Sequence, residues 1–123
     1  MSKARAKGTG WESELLPRLR RLFGDHVERA PLKGVLDDGD FIGTPRLVEA
    51  KKTDVPHFLQ WAKTCAKKRP NGDWCVVWSG DRRRGDGPFV LLTLEAWLEL
   101  EADRLVLAEM FPGVKPEGRE CAS

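Results

Sequence analysis

Five short apolar runs, each bounded by Gly, Pro or Asp, alternate with three longer segments in which apolar residues recur at helical spacing. Runs of this length that are rich in Val, Ile, Phe and Trp predict β-strands. The predicted strands are His26–Ala30, Gly39–Ile42, Leu47–Lys51, Trp74–Trp78 and Phe89–Leu92. The resulting order, α-β-β-β-α-β-β-α, predicts an α/β fold in which helices flank a mixed β-sheet.

The first helix is predicted over residues 11–23, ahead of Gly24. Its apolar positions have the spacing of one helix face, and they are Trp11, Leu15, Leu16, Leu19, Leu22 and Phe23. Pro17 removes a backbone donor beyond the first turn. The helix is therefore expected either to start late or to kink.

The second helix is predicted between the third and fourth strands, with Asp54 as its cap and Pro56 in its first turn. Its predicted apolar stripe consists of Phe58, Leu59, Ala62, Cys65 and Ala66. The lysines expected to lie off this stripe are Lys63, Lys67 and Lys68. The third helix is predicted to be capped by Thr93 and to run through Trp97, Leu98 and Glu101.

The length of 123 residues predicts one domain over residues 1–111, with a basic arm at 1–10 and a flexible tail at 112–123. No apolar run approaches the ~20 residues of a membrane span, and no signal-peptide core follows the basic start. We therefore expect a cytoplasmic protein with no membrane partner. The three cysteines form no CxxC pair, which predicts buried or incidental thiols at Cys65, Cys75 and Cys121.

The charges are unevenly distributed along the chain. Lys and Arg exceed Asp and Glu by 4 in residues 1–36 and by 6 in residues 51–84, whereas the acids are in excess by 3 in residues 37–50 and by 5 in residues 85–123. Two basic segments around an acidic island suggest a polyanion partner. An ordinary solvated surface is the alternative.

A tight hairpin centred between Thr44 and Pro45 places Asp40 directly opposite Glu49. Opposed Cβ atoms lie about 4.5–5.5 Å apart, so the two carboxylates repel unless a cation lies between them. Lys51 projects from the same face, about 6.6 Å beyond Glu49. Two carboxylates and an ammonium in one place indicate Mg²⁺-assisted phosphodiester hydrolysis. None of these three side chains is expected in the core.

The pattern Asp40…Glu49-Ala50-Lys51, preceded by a helix that carries Glu12, resembles the core of the PD-(D/E)xK nuclease superfamily. The resemblance implies a restriction-endonuclease-like fold. It also implies that Asp40, Glu49 and the Ala50 carbonyl bind Mg²⁺, with Mn²⁺ as a substitute. In that family pattern Lys51 orients the attacking water and stabilises charge, and Glu12 is an auxiliary ligand.

A closer resemblance spans nearly the whole chain. The segments that carry it are Lys7-Gly8-Thr9, Trp11-Glu12, Glu28-Arg29, Leu32-Lys33-Gly34, Gly39-Asp40, Val48-Glu49-Ala50-Lys51 and Val76-Val77-Trp78. They look like the small resolvase-type endonucleases of actinobacterial phages, which are similar to archaeal Holliday-junction resolvases. This implies an Mg²⁺-dependent DNA endonuclease that acts on branched DNA as a homodimer, in the bacterial host cytoplasm if the chain is phage-encoded. Gln60 on the second helix is a further auxiliary residue in this interpretation.

The predicted DNA contacts are basic residues outside the carboxylate site, namely Lys7, Lys33, Lys52, Arg82, Arg83 and Arg84. The three arginines lie in a glycine-bounded loop, where guanidinium groups suit a phosphate backbone. Plain solvation of this loop is equally compatible with the sequence. Asp37 and Asp38 fit solvated turn residues better than further metal ligands.

The tryptophans predicted in the core are Trp61, Trp74, Trp78 and Trp97, and only Trp11 is given a substrate-facing role. An apolar segment after the third helix fits either a dimer interface or the domain's own core, and it consists of Leu105, Val106, Leu107, Met110 and Phe111. Two rival functions stay open: a catalytically silent DNA-binding module of the same fold, and a protein–protein adaptor that uses exposed tryptophans. Nicking, end resection and RNA cleavage stay open within the nuclease class.

Overall fold

The computed structural model describes residues 3–31, 39–81 and 84–113, with side chains from residue 10 onward. The chain divides into two compact units, residues 1–93 and residues 94–123. The elements are α1 (Lys3–Phe23), β1 (Glu28–Arg29), β2 (Phe41–Ile42), β3 (Leu47–Lys51), α2 (Phe58–Lys68), β4 (Trp74–Trp78), β5 (Phe89–Leu91) and α3 (Leu94–Met110). The α/β class and the predicted order of helices and strands are confirmed.

Helix α1 begins at Lys3, within the segment predicted as a basic arm, and it continues past Pro17 to Phe23. A late start is therefore excluded. The buried face of α1 includes Trp11 and Leu15, which agrees with the predicted apolar spacing. The helix stops at Gly24, whose φ of +114° favours glycine.

The strands form two small sheets where the sequence predicted one. β1 pairs with β2 in antiparallel orientation, while β3 pairs with β4 in parallel and β5 pairs with β4 in antiparallel orientation. The second sheet is therefore mixed, with the strand order β3-β4-β5. β2 is only two residues long and pairs with β1, not with β3. A single parallel bridge, between Gly39 and Val48, connects the chain just before β2 to β3.

The predicted apolar stripe of α2 is only partly confirmed: Cys65 is buried as expected, and Ala62 packs against the buried cluster. Its buried residues are Trp61 and Cys65, whereas the expected stripe residues Phe58, Leu59 and Ala66 are exposed. The helix begins at Phe58 after His57, which makes no side-chain capping bond. Asp54 and Pro56 therefore lie before the helix, so the predicted cap and first-turn positions are wrong.

The core of the first unit lies on both faces of the β3–β4 pair. On one face, Val48, Cys75 and Val77 form a cluster with Trp11 and Leu15 of α1. The Trp11 indole N–H also donates to the Val77 carbonyl at 3.1 Å, which fixes α1 against β4.

The opposite face of the pair carries the second cluster, whose strand residues are Leu47, Trp74, Val76 and Trp78. They pack with Trp61 and Cys65 of α2. Because side chains alternate along a strand, Glu49 and Lys51 share this α2 face with Leu47. The predicted buried thiols are confirmed for Cys65 and Cys75, and Cys121 lies outside the described residues.

The second unit is described through α3 and the residues up to 113. The helix is longer than predicted, so Leu105, Val106, Leu107 and Met110 lie within it and not after it. Apolar residues run around the helix, and its large side chains are largely exposed. Trp97 is 48% exposed, so its prediction as a core residue is wrong. No helix among the described residues is long and apolar enough to cross a membrane.

Candidate active site

Asp40 is fixed at the free edge of β3 by three hydrogen bonds that involve main-chain groups. Its own N–H donates to the Val48 carbonyl at 2.9 Å, and its carbonyl accepts from the Ala30 N–H at 2.9 Å. Its carboxylate Oδ2 accepts from the Ala50 N–H at 2.6 Å. The carboxylate is therefore held beside the strand and does not extend into solvent.

Gly39 makes this approach possible. Its φ is +84°, and a Cβ at this position would lie 2.6 Å from the Val48 carbonyl oxygen. A larger residue would push the chain away from β3, because that distance is shorter than side chains tolerate. Gly39 thus allows the bridge that brings Asp40 to the strand.

Glu49 is the buried acidic residue of the site, with 7% of its surface exposed. The expectation that it lies outside the core is therefore wrong, because its strand is covered by α2 on the side to which Glu49 points. The Lys68 ammonium lies 2.6 Å from Glu49 Oε1 and donates a hydrogen bond to it. This ion pair compensates a charge that would be costly to bury alone.

The carboxylates of Asp40 and Glu49 interact strongly. Burial, followed by the charge of Glu49, raises the pKa of Asp40 from 3.8 to about 7, although the Ala50 N–H opposes the shift. Burial also raises the pKa of Glu12, which the charge of Arg29 lowers and that of Glu49 raises. Glu12 is 3.8 Å from Arg29 Nε. The three predicted acidic residues therefore influence one another's charge.

The hairpin that predicted this neighbourhood does not form. Asp40 and Glu49 are not opposed in an antiparallel pair, since β2 pairs with β1 and the bridge beside β3 is parallel. The prediction of two neighbouring carboxylates agrees with the structure, but its register is wrong. The physical reason is that the backbone bond from Asp40 to Val48 replaces the expected strand ladder.

The backbone pattern of β3 also explains where the Ala50 carbonyl points. The Leu47 N–H donates to the Asp73 carbonyl, and the Lys51 carbonyl accepts from the Ser79 N–H, so both residues bond on the β4 side. Between them, the Ala50 N–H bonds to Asp40 on the opposite edge. The N–H and C=O of one strand residue point to the same edge, so the Ala50 carbonyl is directed toward the edge that carries Asp40.

Lys51 lies on the α2 face of β3, two residues beyond Glu49. Burial, followed by the Glu49 charge, raises the pKa of Cys65 to about 11, and the charges of Lys68 and Lys51 partly oppose the rise. Asp40 raises it slightly as well. The thiol of Cys65 is therefore close enough to Asp40, Glu49 and Lys51 to respond to their charges.

Gln60 is not brought to these carboxylates. It is exposed and lines an open groove of about 760 Å³ on the outer side of α2, together with His57, Lys63 and Lys67. Trp61 and Cys65 are the buried positions of this helix, and Gln60 lies on a different face. Its predicted auxiliary role has no support in the geometry.

Two of the predicted DNA contacts can be located in full. Lys52 is half-buried directly after β3, and Arg84 is exposed, with its Nε 3.8 Å from Asp81 Oδ2. The side chain of Lys7 lies outside the described residues, and so do Lys33, Arg82, Arg83, Asp37 and Asp38.

Lys68 is the site residue that the sequence analysis missed. It was predicted to lie off the apolar stripe of α2, yet it follows the buried Cys65 by three residues and Trp61 by seven. This i, i+4, i+7 spacing places all three on one helix face. The spacing therefore indicates that Lys68 lies beside Trp61 and Cys65, although it does not identify Glu49 as the partner of Lys68.

The tryptophans do not form a recognition surface in the first unit. Those buried there are Trp11, Trp61, Trp74 and Trp78. Trp11 is only 3% exposed, so the substrate-facing role predicted for its ring is wrong. An adaptor that relies on exposed tryptophans loses four of its five contacts.

Within the described ranges, no group of three or more His, Cys, Asp or Glu side chains is close enough to hold a metal ion. A metal at this position would therefore rely on two carboxylates together with backbone and water oxygens. No protein-family model matches the chain, and no curated protein or solved structure is significantly similar to it. The function is accordingly argued from the site itself.

Proposed function

We propose that the protein is a metal-dependent endodeoxyribonuclease that hydrolyses phosphodiester bonds in branched DNA. The observation that carries this proposal is the electrostatic interaction of two acidic residues at β3, where the Asp40 carboxylate accepts the Ala50 N–H at 2.6 Å and Glu49 is buried. Helices α1 and α2, which cover the two faces of the β3–β4 pair, support a restriction-endonuclease-like fold.

The oxygen donors at this edge suit Mg²⁺, which accepts one or two carboxylates and retains several waters. Asp40, Glu49 and the Ala50 carbonyl are such donors. Burial and the neighbouring Glu49 charge raise the pKa of Asp40, and a divalent cation would favour the ionised form of this carboxylate. When bound, Mg²⁺ or its substitute Mn²⁺ would acidify a water and offset charge on the phosphorane-like transition state.

The side chain of Lys51 is assigned to the attacking water and the scissile phosphate. An ammonium close to the carboxylates orients the water through a hydrogen bond, and it stabilises the negative charge that grows on the phosphate oxygens. Glu12 is assigned as an auxiliary acidic residue because its charge acts on Asp40.

An exposed basic residue of the first unit supports DNA as the substrate. The Arg84 side chain is 81% exposed, and an exposed guanidinium suits a phosphate backbone. Paired incisions in a branched substrate need two sites, which a two-fold homodimer supplies. The exposed apolar residues of α3 support such a dimer, among them Leu105, Val106 and Leu107.

The test is cleavage of a four-way junction, a linear duplex, single-stranded DNA and RNA, each with Mg²⁺ and with EDTA. We expect cleavage of the junction in Mg²⁺ and none in EDTA. Lys51→Ala should lower the rate by about 10²–10³-fold, the usual effect of removing one electrostatic group from a transition state. The matched control is Lys63→Ala, which removes an exposed lysine of α2 and should cut like the wild type.

The proposal is contradicted if no substrate is cut in either Mg²⁺ or Mn²⁺, or if DNA binds and stays intact under all conditions. Preferential cleavage of RNA would reject the assignment of DNA. Light scattering of the free protein and of its junction complex tests the assembly. A monomer in both states would reject paired incision and leave a nickase.

A further inference from the structure

The ion pair between Lys68 and Glu49 differs from three other ion pairs among the described residues. It is 2.6 Å long, and both side chains are largely buried. The pairs Arg29–Glu12, Arg84–Asp81 and Arg104–Glu101 are 3.7–3.8 Å long and more exposed. Exposed pairs contribute little to stability, whereas a buried charge strongly requires its partner.

The environment of Glu49 explains why a cation is held there. Asp40 and Glu12 both interact unfavourably with Glu49, so a cation beside Glu49 offsets the repulsion among the three carboxylates. The Lys68 ammonium bonds to Oε1 of Glu49, one of the two oxygens that this carboxylate would offer to a metal ion. Two cations held by one carboxylate repel each other.

The position of Lys68 would allow its ammonium to move away from Glu49. It lies in the last turn of α2, and its side chain is 23% exposed. A lysine has a flexible four-carbon stem and a compact charge, so the ammonium can swing into solvent while the helix stays in place. Trp61 and Cys65 anchor the helix independently of Lys68.

We infer that Lys68 and the divalent cation bind Glu49 in alternation, and that Lys68 thereby sets the metal affinity of the site. This inference rests on the proposed metal-dependent function. In the metal-free protein, Lys68 compensates the buried carboxylate. Metal binding must displace it, and the work of displacement weakens the observed affinity.

The experiment is a titration of the full chain with Mn²⁺, followed by electron paramagnetic resonance of the free ion and by calorimetry. Lys68→Met and Lys68→Gln should each lower the dissociation constant for Mn²⁺ by about tenfold, a typical size for coupling between two binding events. Lys68→Gln retains a hydrogen-bond donor toward Glu49, so it keeps the test open if the methionine variant does not fold.

Lys67→Gln is the matched control. It removes an exposed lysine from the same turn of α2, so it reports the general effect of one fewer positive charge. We expect its affinity for Mn²⁺ to remain within about twofold of the wild type, because exposed charges are screened. An equal gain in the Lys67 and Lys68 variants would overturn the inference.

A second readout does not depend on catalysis. In EDTA, Lys68→Gln should melt at a lower temperature than Lys67→Gln, because Glu49 loses its cation. Saturating Mn²⁺ should remove the difference, since the metal supplies the charge. A deficit of Lys68→Gln that persists in saturating Mn²⁺ would show that Lys68 has a structural role only, and would overturn the inference.

The outcomes separate this inference from the proposed function. If the wild type binds Mn²⁺ and cuts DNA but the Lys68 variants bind Mn²⁺ no more tightly, Lys68 does not compete and the nuclease assignment stands. If neither the wild type nor any variant binds Mn²⁺, the metal-dependent function itself is rejected and the competition with it.

Discussion

β3 and β4 are neighbouring strands of five residues each, paired in parallel along their whole length, yet they serve different purposes. Every residue of β4 is buried, and all five are apolar. β3 begins in the same way with Leu47 and Val48 and then changes at Glu49 and Lys51. Glu49 lies beside Val76 in the ladder, so a charged position and a core position share one level of the sheet.

The difference follows from the places of the two strands in the sheet. β4 is central and uses both edges for backbone pairing, whereas β3 has β4 on one edge only. The free edge leaves Ala50 able to hold the Asp40 carboxylate. A central strand offers no such opening. The edge of a small sheet can therefore carry chemistry while its centre supplies the packing energy.

The sharpest way to break this comparison is Glu49→Gln, which removes the charge and keeps the size. The cleavage rate should fall by about 10²–10³-fold, because a charged group of the transition state is lost. Circular dichroism should show a folded protein. Glu99→Gln, at an exposed position of α3, is the control and should cut normally. Cleavage by Glu49→Gln at the wild-type rate would disprove the assignment.

The bounds of β3 and β4 were predicted to the residue. Their apolar runs end at charged or turn-forming residues, and a local pattern of this kind is visible in the sequence. The pairing of β2 was not predictable in the same way. The segment Gly43-Thr44-Pro45-Arg46 is compatible with a tight hairpin, and only the long-range pairing with β1 decides against one.

The candidate site shows the same division between local and long-range information. Glu49 and Lys51 could be identified because they lie two apart on a strand. Asp40 was found through a register that does not occur, and its contact with Ala50 depends on the positive φ of Gly39. Lys68 was missed because its partner is 19 residues away in the sequence, and only the packing of α2 brings the two together.

A second test of the comparison is the pH dependence of stability. The titrating side chain, Asp40, lies beside β3, whereas β4 carries only apolar residues. In EDTA, the folded protein retains a proton on Asp40 up to about pH 7, whereas the unfolded chain releases it near 3.8. Between these values the unfolded state binds fewer protons, so stability falls as pH rises. The loss is at most about 1.4 kcal/mol per pH unit for one group.

Asp40→Asn removes this proton. Denaturant unfolding in EDTA should therefore show that the stability of the wild type relative to Asp40→Asn declines from pH 4 to pH 8. Asp25→Asn, at an exposed turn position, should follow the wild type throughout. A constant difference between wild type and Asp40→Asn at all pH values would mean that the Asp40 carboxyl is not perturbed by its burial beside Glu49.

The smallest effect is expected from a substitution of Val76, the β4 residue paired with Glu49. Val76 is fully buried, so Val76→Ala should lower the free energy of unfolding by about 2 kcal/mol through lost burial and a small cavity. Val90→Ala is the control on β5, where the side chain is 60% exposed, and it should change stability by no more than about 0.5 kcal/mol. Urea unfolding measures both.

Because Val76 contributes packing and no charge, the folded Val76→Ala protein should cut DNA at nearly the wild-type rate. A folded variant that has lost cleavage would show that β4 takes a direct part in the chemistry, and the division of labour between the two strands would fail.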